Sequence, residues 1–180
     1  MRLSETPLAG AFLVELETHA DERGFFARTY CREEFGAAGI ATGFDQCSIS
    51  YNPRRGTLRG LHWQAEPHGE EKLVRCTSGA IFDVIVDLRP ESPTLRRWFG
   101  LELDAVNRRA LYIPTGCAHG FISLSDASEV LYMISAVYEP AAARGLRWND
   151  PALGIVWPIA PTVISARDAG CPLLDAEGVG

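Results

Sequence analysis

A proton is moved at neutral pH by an imidazole that a carboxylate orients and whose basicity it raises, and this sequence holds the parts. Of its four histidines, His19, His62, His68 and His119, the second lies in the strand-like run Leu58-Arg59-Gly60-Leu61-His62-Trp63-Gln64. That run follows the turn-rich Asn52-Pro53-Arg54-Arg55-Gly56. His119 lies in Pro114-Thr115-Gly116-Cys117-Ala118-His119-Gly120-Phe121. Asp168, in Ile164-Ser165-Ala166-Arg167-Asp168, is a late carboxylate able to reach a pocket and hold an imidazole. Tyr132 alternates with Leu131 and Met133, so its phenol projects to one side and supplies an acid opposite the base. Each also has a structural reading: a hydrogen-bonded histidine, a packed tyrosine, a turn aspartate.

Metal chemistry is the competing expectation. The spacing Pro114-x-Gly116-x-x-His119 resembles the second motif of cupins, small jelly-roll proteins. Metal-binding cupins carry His-x-His in the first motif; here it reads His62-Trp63-Gln64, one imidazole short. Glutamine is a poor ligand for a first-row transition metal, so no metal or other cofactor is expected. The five cysteines (Cys31, Cys47, Cys76, Cys117, Cys171) are odd in number, widely spaced and lack Cys-x-x-Cys. They read as reduced thiols of a cytoplasmic protein, with a thiol nucleophile as the minor alternative.

The elements that position these residues are short. Ala80-Ile81-Phe82-Asp83-Val84-Ile85-Val86-Asp87 has period two, acids on one parity and Phe82, Val84 and Val86 on the other. Further strands are expected at 73–76, 98–103, 111–113, 121–124 and 130–134, separated by turn residues such as Ser78-Gly79 and Pro114-Thr115-Gly116. Arg32 to Gly39 reads as one short helix ended by glycine. Many short strands and few helices predict a mainly β protein, a jelly-roll β-barrel with a few short helices. The Pro-, Ala- and Gly-rich C-terminal third is expected to wrap the barrel as loops. A single domain, 1–180, is expected from the length of 180 residues.

The net charge is −6, from 17 basic and 23 acidic residues, which disfavours nucleic acid as a partner. Only one of the 17 basic residues, Lys72, is lysine. Compositional bias accounts for the arginines but not for the position of that lysine. Apolar runs stay well short of the roughly 20 residues of a membrane span, and residues 1–7 lack the apolar stretch of a signal peptide.

Taken in order, the blocks Asp21-Glu22-Arg23-Gly24-Phe25-Phe26, Leu58-Arg59-Gly60-Leu61-His62, Lys72-Leu73-Val74-Arg75-Cys76, Asp87-Leu88-Arg89 with Ser92-Pro93-Thr94, Ile113 through Phe121, and Trp148-Asn149-Asp150-Pro151 through Trp157-Pro158 resemble the dTDP-4-dehydrorhamnose 3,5-epimerase family. The resemblance covers nearly the whole chain. It implies a cupin-like jelly roll, a metal-free epimerase and a homodimer with exchanged N-terminal strands. It implies a nucleotide-diphosphate 4-keto-6-deoxyhexose as substrate. His62 matches the base, Asp168 its orienting carboxylate, Lys72 the cation near the enolate oxygen and Tyr132 the acid on the opposite face. Arg59 matches a diphosphate ligand and Arg23 one given by the neighbouring subunit; arginine forks suit phosphate. His119 and Tyr138 match pocket positions, and Phe26, Gln46, Ser48 and Arg167 match substrate-binding ones. Two positions depart: Ser48 stands where the family often has asparagine, and Arg28 where many members have glutamate. Other readings stay open at this stage: epimerisation at one carbon only, a 3,4-ketoisomerase, a metal-dependent cupin and a non-catalytic sugar-nucleotide-binding module.

Overall fold

Short alternating segments cannot bury themselves alone, so they pair into sheets and stack. The computed structural model describes residues 1–40 and 43–174. The first sheet has the order β1 (Arg2–Glu5), β2 (Phe12–Glu15), β10 (Ala110–Ile113), β7 (Lys72–Ser78), β12 (Ser128–Ile134) and β5 (Gln46–Asn52). The second runs β13 (Ala143–Gly145), β6 (Thr57–Gln64), β11 (Cys117–Ser123), β8 (Ala80–Asp87) and β9 (Trp98–Asp104). A two-residue strand, β14 (Val163–Ile164), adds to β6 in parallel. β3 (Thr18–Asp21) and β4 (Gly24–Ala27) form a separate hairpin. The helices are α1 (Arg32–Ala37) and α2 (Ala166–Ala169). The architecture is the expected mainly β jelly roll, with the two sheets facing each other and neither closed on itself.

Three apolar clusters hold the layers. Val74, Cys76, Leu111, Ile113 and Val130 of the first sheet meet Ile81, Ile85, Leu103, Cys117 and Phe121 of the second. Outside the first sheet, α1 lays Phe35 on Leu73, Ala110 and Tyr112. Outside the second, the C-terminal segment lays Leu146, Leu153 and Leu174 on Leu61, Trp63, Val84 and Val86. Burying each such side chain stabilises the fold by roughly 1.5–3 kcal/mol. The C-terminal third therefore wraps as expected, but it also contributes β13, β14 and α2.

β8 is buried on both faces, which its parity alone does not reveal. Phe82, Val84 and Val86 turn outward under the C-terminal wrap, while the acid-bearing parity turns inward with Ile81 and Ile85. Asp83 and Asp87 are both fully buried. Asp87 accepts hydrogen bonds from Arg89 Nη2 (2.7 Å), Ser92 and Thr94 Oγ1 (2.6 Å), closing the loop after the strand. Among the described residues no helix is long and apolar enough to cross a membrane.

Candidate active site

Alternation along a strand sets residues three apart on opposite faces, so Arg59 and His62 should not share a pocket. They do, because β6 bulges between them. Against β11, His62 pairs with His119 and Arg59 pairs with Phe121, so Gly60 and Leu61 together stand opposite Gly120 alone. A bulge of this kind re-aims a side chain. It demands glycine: Gly60 has φ +109°, and a Cβ there would lie 2.6 Å from Gly120 Cα and from the His119 carbonyl oxygen. The Arg-Gly-Leu-His block is thus a device for putting a guanidinium and an imidazole on one wall.

Asp168 reaches that wall because β14 is strapped along β6, with Val163 beside Thr57 and Ile164 beside Leu58. Ser165 then caps α2, its hydroxyl accepting from the Asp168 N–H at 3.0 Å. Asp168 is 5% exposed. Its Oδ1 lies 2.8 Å from His62 Nε2, and its Oδ2 accepts from the Gly60 N–H at 3.2 Å. A carboxylate only accepts, so Nε2 carries the proton and Nδ1 keeps the lone pair that acts as base. Asp168 raises the His62 imidazole as expected, but it does not set the balance. Burial pushes the imidazole below its ordinary range, with smaller downward contributions from Lys72 and Arg167, and these outweigh the upward pull of Asp168. The ring therefore starts neutral at pH 7, as a base must.

The facing sheet supplies the other groups. Tyr132 on β12 pairs with Ser48 on β5 and Val74 on β7, so all three point inward. Burial, reinforced by the charge of Asp83, drives its phenol far above the ordinary tyrosine range, so it is a neutral donor. Lys72 opens β7 on the same inward parity. Its ammonium is pinned by Glu70 Oε1 at 2.8 Å and donates to the His62 carbonyl oxygen at 3.4 Å.

These groups surround a cavity of about 680 Å³ between the sheets, within the size range of small-molecule sites. His62, Asp168, Tyr132, Lys72, Ser48, Arg59, His119, Tyr138 and Arg167 all line it. Arg59 is aimed by the fully buried Asn52, whose Oδ1 accepts from its Nε at 2.8 Å. Gln46, at the start of β5, is not among the lining residues, and neither are Arg23 and Phe26 of the same chain. Those two sit on the β3–β4 hairpin, where the Arg23 side chain is 83% exposed and Phe26 is 74% exposed. Arg28, the departure noted above, is ion-paired to Glu34 of α1 at 2.8 Å, which brings a carboxylate to that position from another element.

Three functional partners escape sequence reasoning: Glu70 beside Lys72, Asn52 behind Arg59, and Asp83, whose Oδ1 meets His119 Nε2 at 2.7 Å. Of these only Asp83 leaves a signal, its parity with Ile81 and Ile85. Gln64, in the place of a second cupin imidazole, spends its amide on structure. It donates to the His68 and Val137 carbonyls and accepts from the Glu139 N–H. Among the described residues no three His, Cys, Asp or Glu side chains gather as metal ligands would. Burial pushes the Cys76 thiol up to about 11 and the Cys117 thiol up to about 12, which makes both poor nucleophiles.

A pocket that sets a neutral imidazole and a neutral phenol on facing walls is suited to proton transfer at carbon, and the comparisons with known proteins agree. The chain is 42% identical over 177 residues to dTDP-4-dehydrorhamnose 3,5-epimerase of Salmonella typhimurium, covering 97% of this chain and 96% of that one. It is 40% identical over 175 residues to dTDP-4-dehydrorhamnose 3-epimerase of Streptomyces niveus, covering 97% and 84%. A crystal structure of dTDP-4-dehydrorhamnose 3,5-epimerase from Bacillus anthracis with TDP and PPi bound superposes with a TM-score of 0.92 at 40% identity, covering 96% of this chain and 99% of that one. The family model described as dTDP-4-dehydrorhamnose 3,5-epimerase matches residues 5–176, and this chain belongs to that family.

Proposed function

We propose that the protein inverts C3 and C5 of a dTDP-linked 4-keto-6-deoxyhexose, converting dTDP-4-dehydro-6-deoxyglucose to dTDP-4-dehydrorhamnose. One observation carries the reading: His62–Asp168 stands on one sheet and Tyr132 on the sheet facing it, across a single cavity. A base and an acid on opposite walls address opposite faces of one carbon, which is what inversion requires.

The C4 ketone acidifies the protons on C3 and C5. His62 Nδ1 takes the proton, and the electron pair moves to the C4 oxygen as an enolate. Lys72 meets that charge; a cation aimed where charge develops contributes on the order of 3 kcal/mol to the barrier. Tyr132 then gives its proton to the other face. Arg59, steadied by Asn52, takes the diphosphate. Asp168 holds the tautomer and offsets the charge His62 acquires.

The second subunit enters the same reading. Arg23 and Phe26 complete the nucleotide end of a partner's cavity in a homodimer that exchanges N-terminal strands. Supporting this, the β3–β4 hairpin stands apart from both sheets and leaves Phe25 and Phe26 exposed. The reading also includes a single jelly-roll domain working in the cytoplasm, for which the five unpaired thiols are the support.

The test is proton exchange followed by NMR in deuterated water with dTDP-, CDP- and GDP-linked 4-keto sugars. The dTDP sugar is expected to gain deuterium at C3 and C5 and to invert at both. His62→Ala protein that exchanges both positions at the wild-type rate would overturn the assignment. Inversion at C3 alone would select the one-carbon reaction that the Streptomyces niveus relative is named for.

A further inference from the structure

One carboxylate behind the cavity wall has no task in the steps above. Asp83 is fully buried. Its Oδ1 holds His119 Nε2 at 2.7 Å, and its Oδ2 has no hydrogen-bond partner. A buried carboxylate left half-satisfied is costly and calls for a reason. Its position supplies one. His119 pairs in register with His62 on the neighbouring strand, and its ring stands edge-to-face against Tyr132 with centroids 5.9 Å apart. Two imidazole–carboxylate pairs therefore serve the cavity, His62 with Asp168 lining it and His119 backed by Asp83. His62–Asp168 serves the base side, and Tyr132 packs on the other.

The acid side needs such a pair. After donating, Tyr132 is a phenolate in a buried site that shares the field of Asp83, a state that burial and like charge both disfavour. Meanwhile His62 holds the abstracted proton, and His119, its neighbour on the same sheet, is the imidazole whose ring touches Tyr132. Proton supply on the acid side must be local. Asp83 accepts at Nε2 of His119, which leaves Nδ1 as the nitrogen that trades a proton.

Resting on the epimerase reading, we propose that His119, oriented by Asp83, returns a proton to Tyr132 after each donation, directly or through one water, with Asp83 as the positioning residue of the acid side. The proton count closes. The substrate C–H bond breaks and its proton goes to His62. The Tyr132 O–H bond breaks as the new C–H bond forms on the opposite face. The Nδ1–H bond of a His119 imidazolium breaks as the phenol re-forms, leaving a neutral ring with its Nε2–H still on Asp83. His62 releases one proton to water and His119 takes one from it.

The relay predicts a separation that a merely structural role does not produce. Exchange with retention needs only His62, whereas inversion needs a recharged Tyr132. In deuterated water, Asp83→Asn and His119→Gln should slow inversion about 100-fold, the scale of one lost acid–base group, while slowing exchange with retention less than about fivefold. The ratio of exchange to inversion then rises more than about tenfold. Tyr132→Phe should show the same raised ratio, and Tyr132→Phe with Asp83→Asn should lower inversion no further than Tyr132→Phe alone. If Asp83→Asn fails to fold by thermal melting, His119→Gln decides. Equal losses of exchange and inversion in the folded variants, or no loss of inversion, would overturn the relay. Wild-type exchange in His62→Ala would instead sink the epimerase reading beneath it.

Discussion

Asp168→Asn is the sharpest probe of the base, because the structure dictates which way the new amide must face. Asp168 Oδ2 accepts from the Gly60 N–H and Oδ1 meets His62 Nε2. Asparagine has one acceptor for two donors. If its oxygen stays on Gly60, its NH₂ faces Nε2, and His62 must move its proton to Nδ1, the nitrogen that should take the substrate proton. If the amide flips, the tautomer is kept but a buried N–H loses its partner, at about 1–3 kcal/mol. Either way the negative charge that steadies the developing imidazolium is gone; a hydrogen bond to a charged group is worth roughly 1.5–3 kcal/mol. Together these losses correspond to a fall in kcat of about 10²–10⁴-fold. Asp168 also raises His62, against the stronger effect of burial. Its loss should therefore move the acid limb of kcat/KM, which the buried imidazole places on the low side of the ordinary histidine range, to still lower pH. The assay is exchange and inversion by NMR across pH, with dTDP affinity by calorimetry as the control for a folded site. A variant within about tenfold of wild type at the plateau, or an acid limb moved upward, would refute the tautomer argument.

Lys72→Arg should lower kcat about 10–100-fold with little change in KM, because a planar guanidinium does not fit a 9% exposed slot set by Glu70 and the His62 carbonyl; steady-state kinetics showing full activity would return the lone lysine to chance. Asn52→Ala should raise KM about tenfold at unchanged kcat, since it frees the Arg59 guanidinium without touching the proton-transfer groups. Gly60→Ala should cost more than about 3 kcal/mol in urea melts, since its Cβ meets backbone at 2.6 Å on an unfavourable φ. Burial alone would raise Asp87, but the hydrogen bonds from Arg89, Ser92 and Thr94 overcome it and bring its carboxyl down to about 2. A depressed carboxyl stabilises above its unfolded value, so roughly 2 kcal/mol should be lost as pH falls from about 4 to about 2. Urea melts of Asp87→Asn should lack that slope.

Where the sequence was legible, the element was long or its neighbours were turns. β8 and β12 stand out because seven or eight residues alternate between Gly, Pro and Ser punctuation, and α1 because Gly39 follows it. The four-residue strands β1 to β4 mix polar and apolar residues and take their conformation from pairing, so their windows carry no period. β14 has two residues and exists only because β6 lies beside it. The site divides in the same way. His62 and Lys72 were readable inside family blocks, Tyr132 from its alternation with Leu131 and Met133, and Asp168 as a late carboxylate. The bulge that sets Arg59 and His62 on one wall was not, since plain alternation denies it.

The interior of the sandwich explains why Asp83 looked like the polar side of an ordinary strand. Between the sheets, inward positions are apolar where the layers touch and polar where they part. Along β7 the inward series is Cys76, Val74, Lys72; along β11 it is Phe121, His119; along β12 it is Val130, Tyr132; along β8 it is Ile81, Asp83, Ile85. Each of these inward series thus sets a polar group, Lys72, His119, Tyr132 or Asp83, beside side chains that make the core. Desolvation is strongest there, so only groups with a partner or a task are tolerated. Lys72 has Glu70, His119 has Asp83, and Tyr132 stays neutral. In a sheet buried on both faces, a polar residue sharing parity with the core and facing a cavity group is therefore the one to test first. By that rule the chain's one lysine belongs to the site for the same physical reason as its half-buried Tyr132 and its buried Asp83.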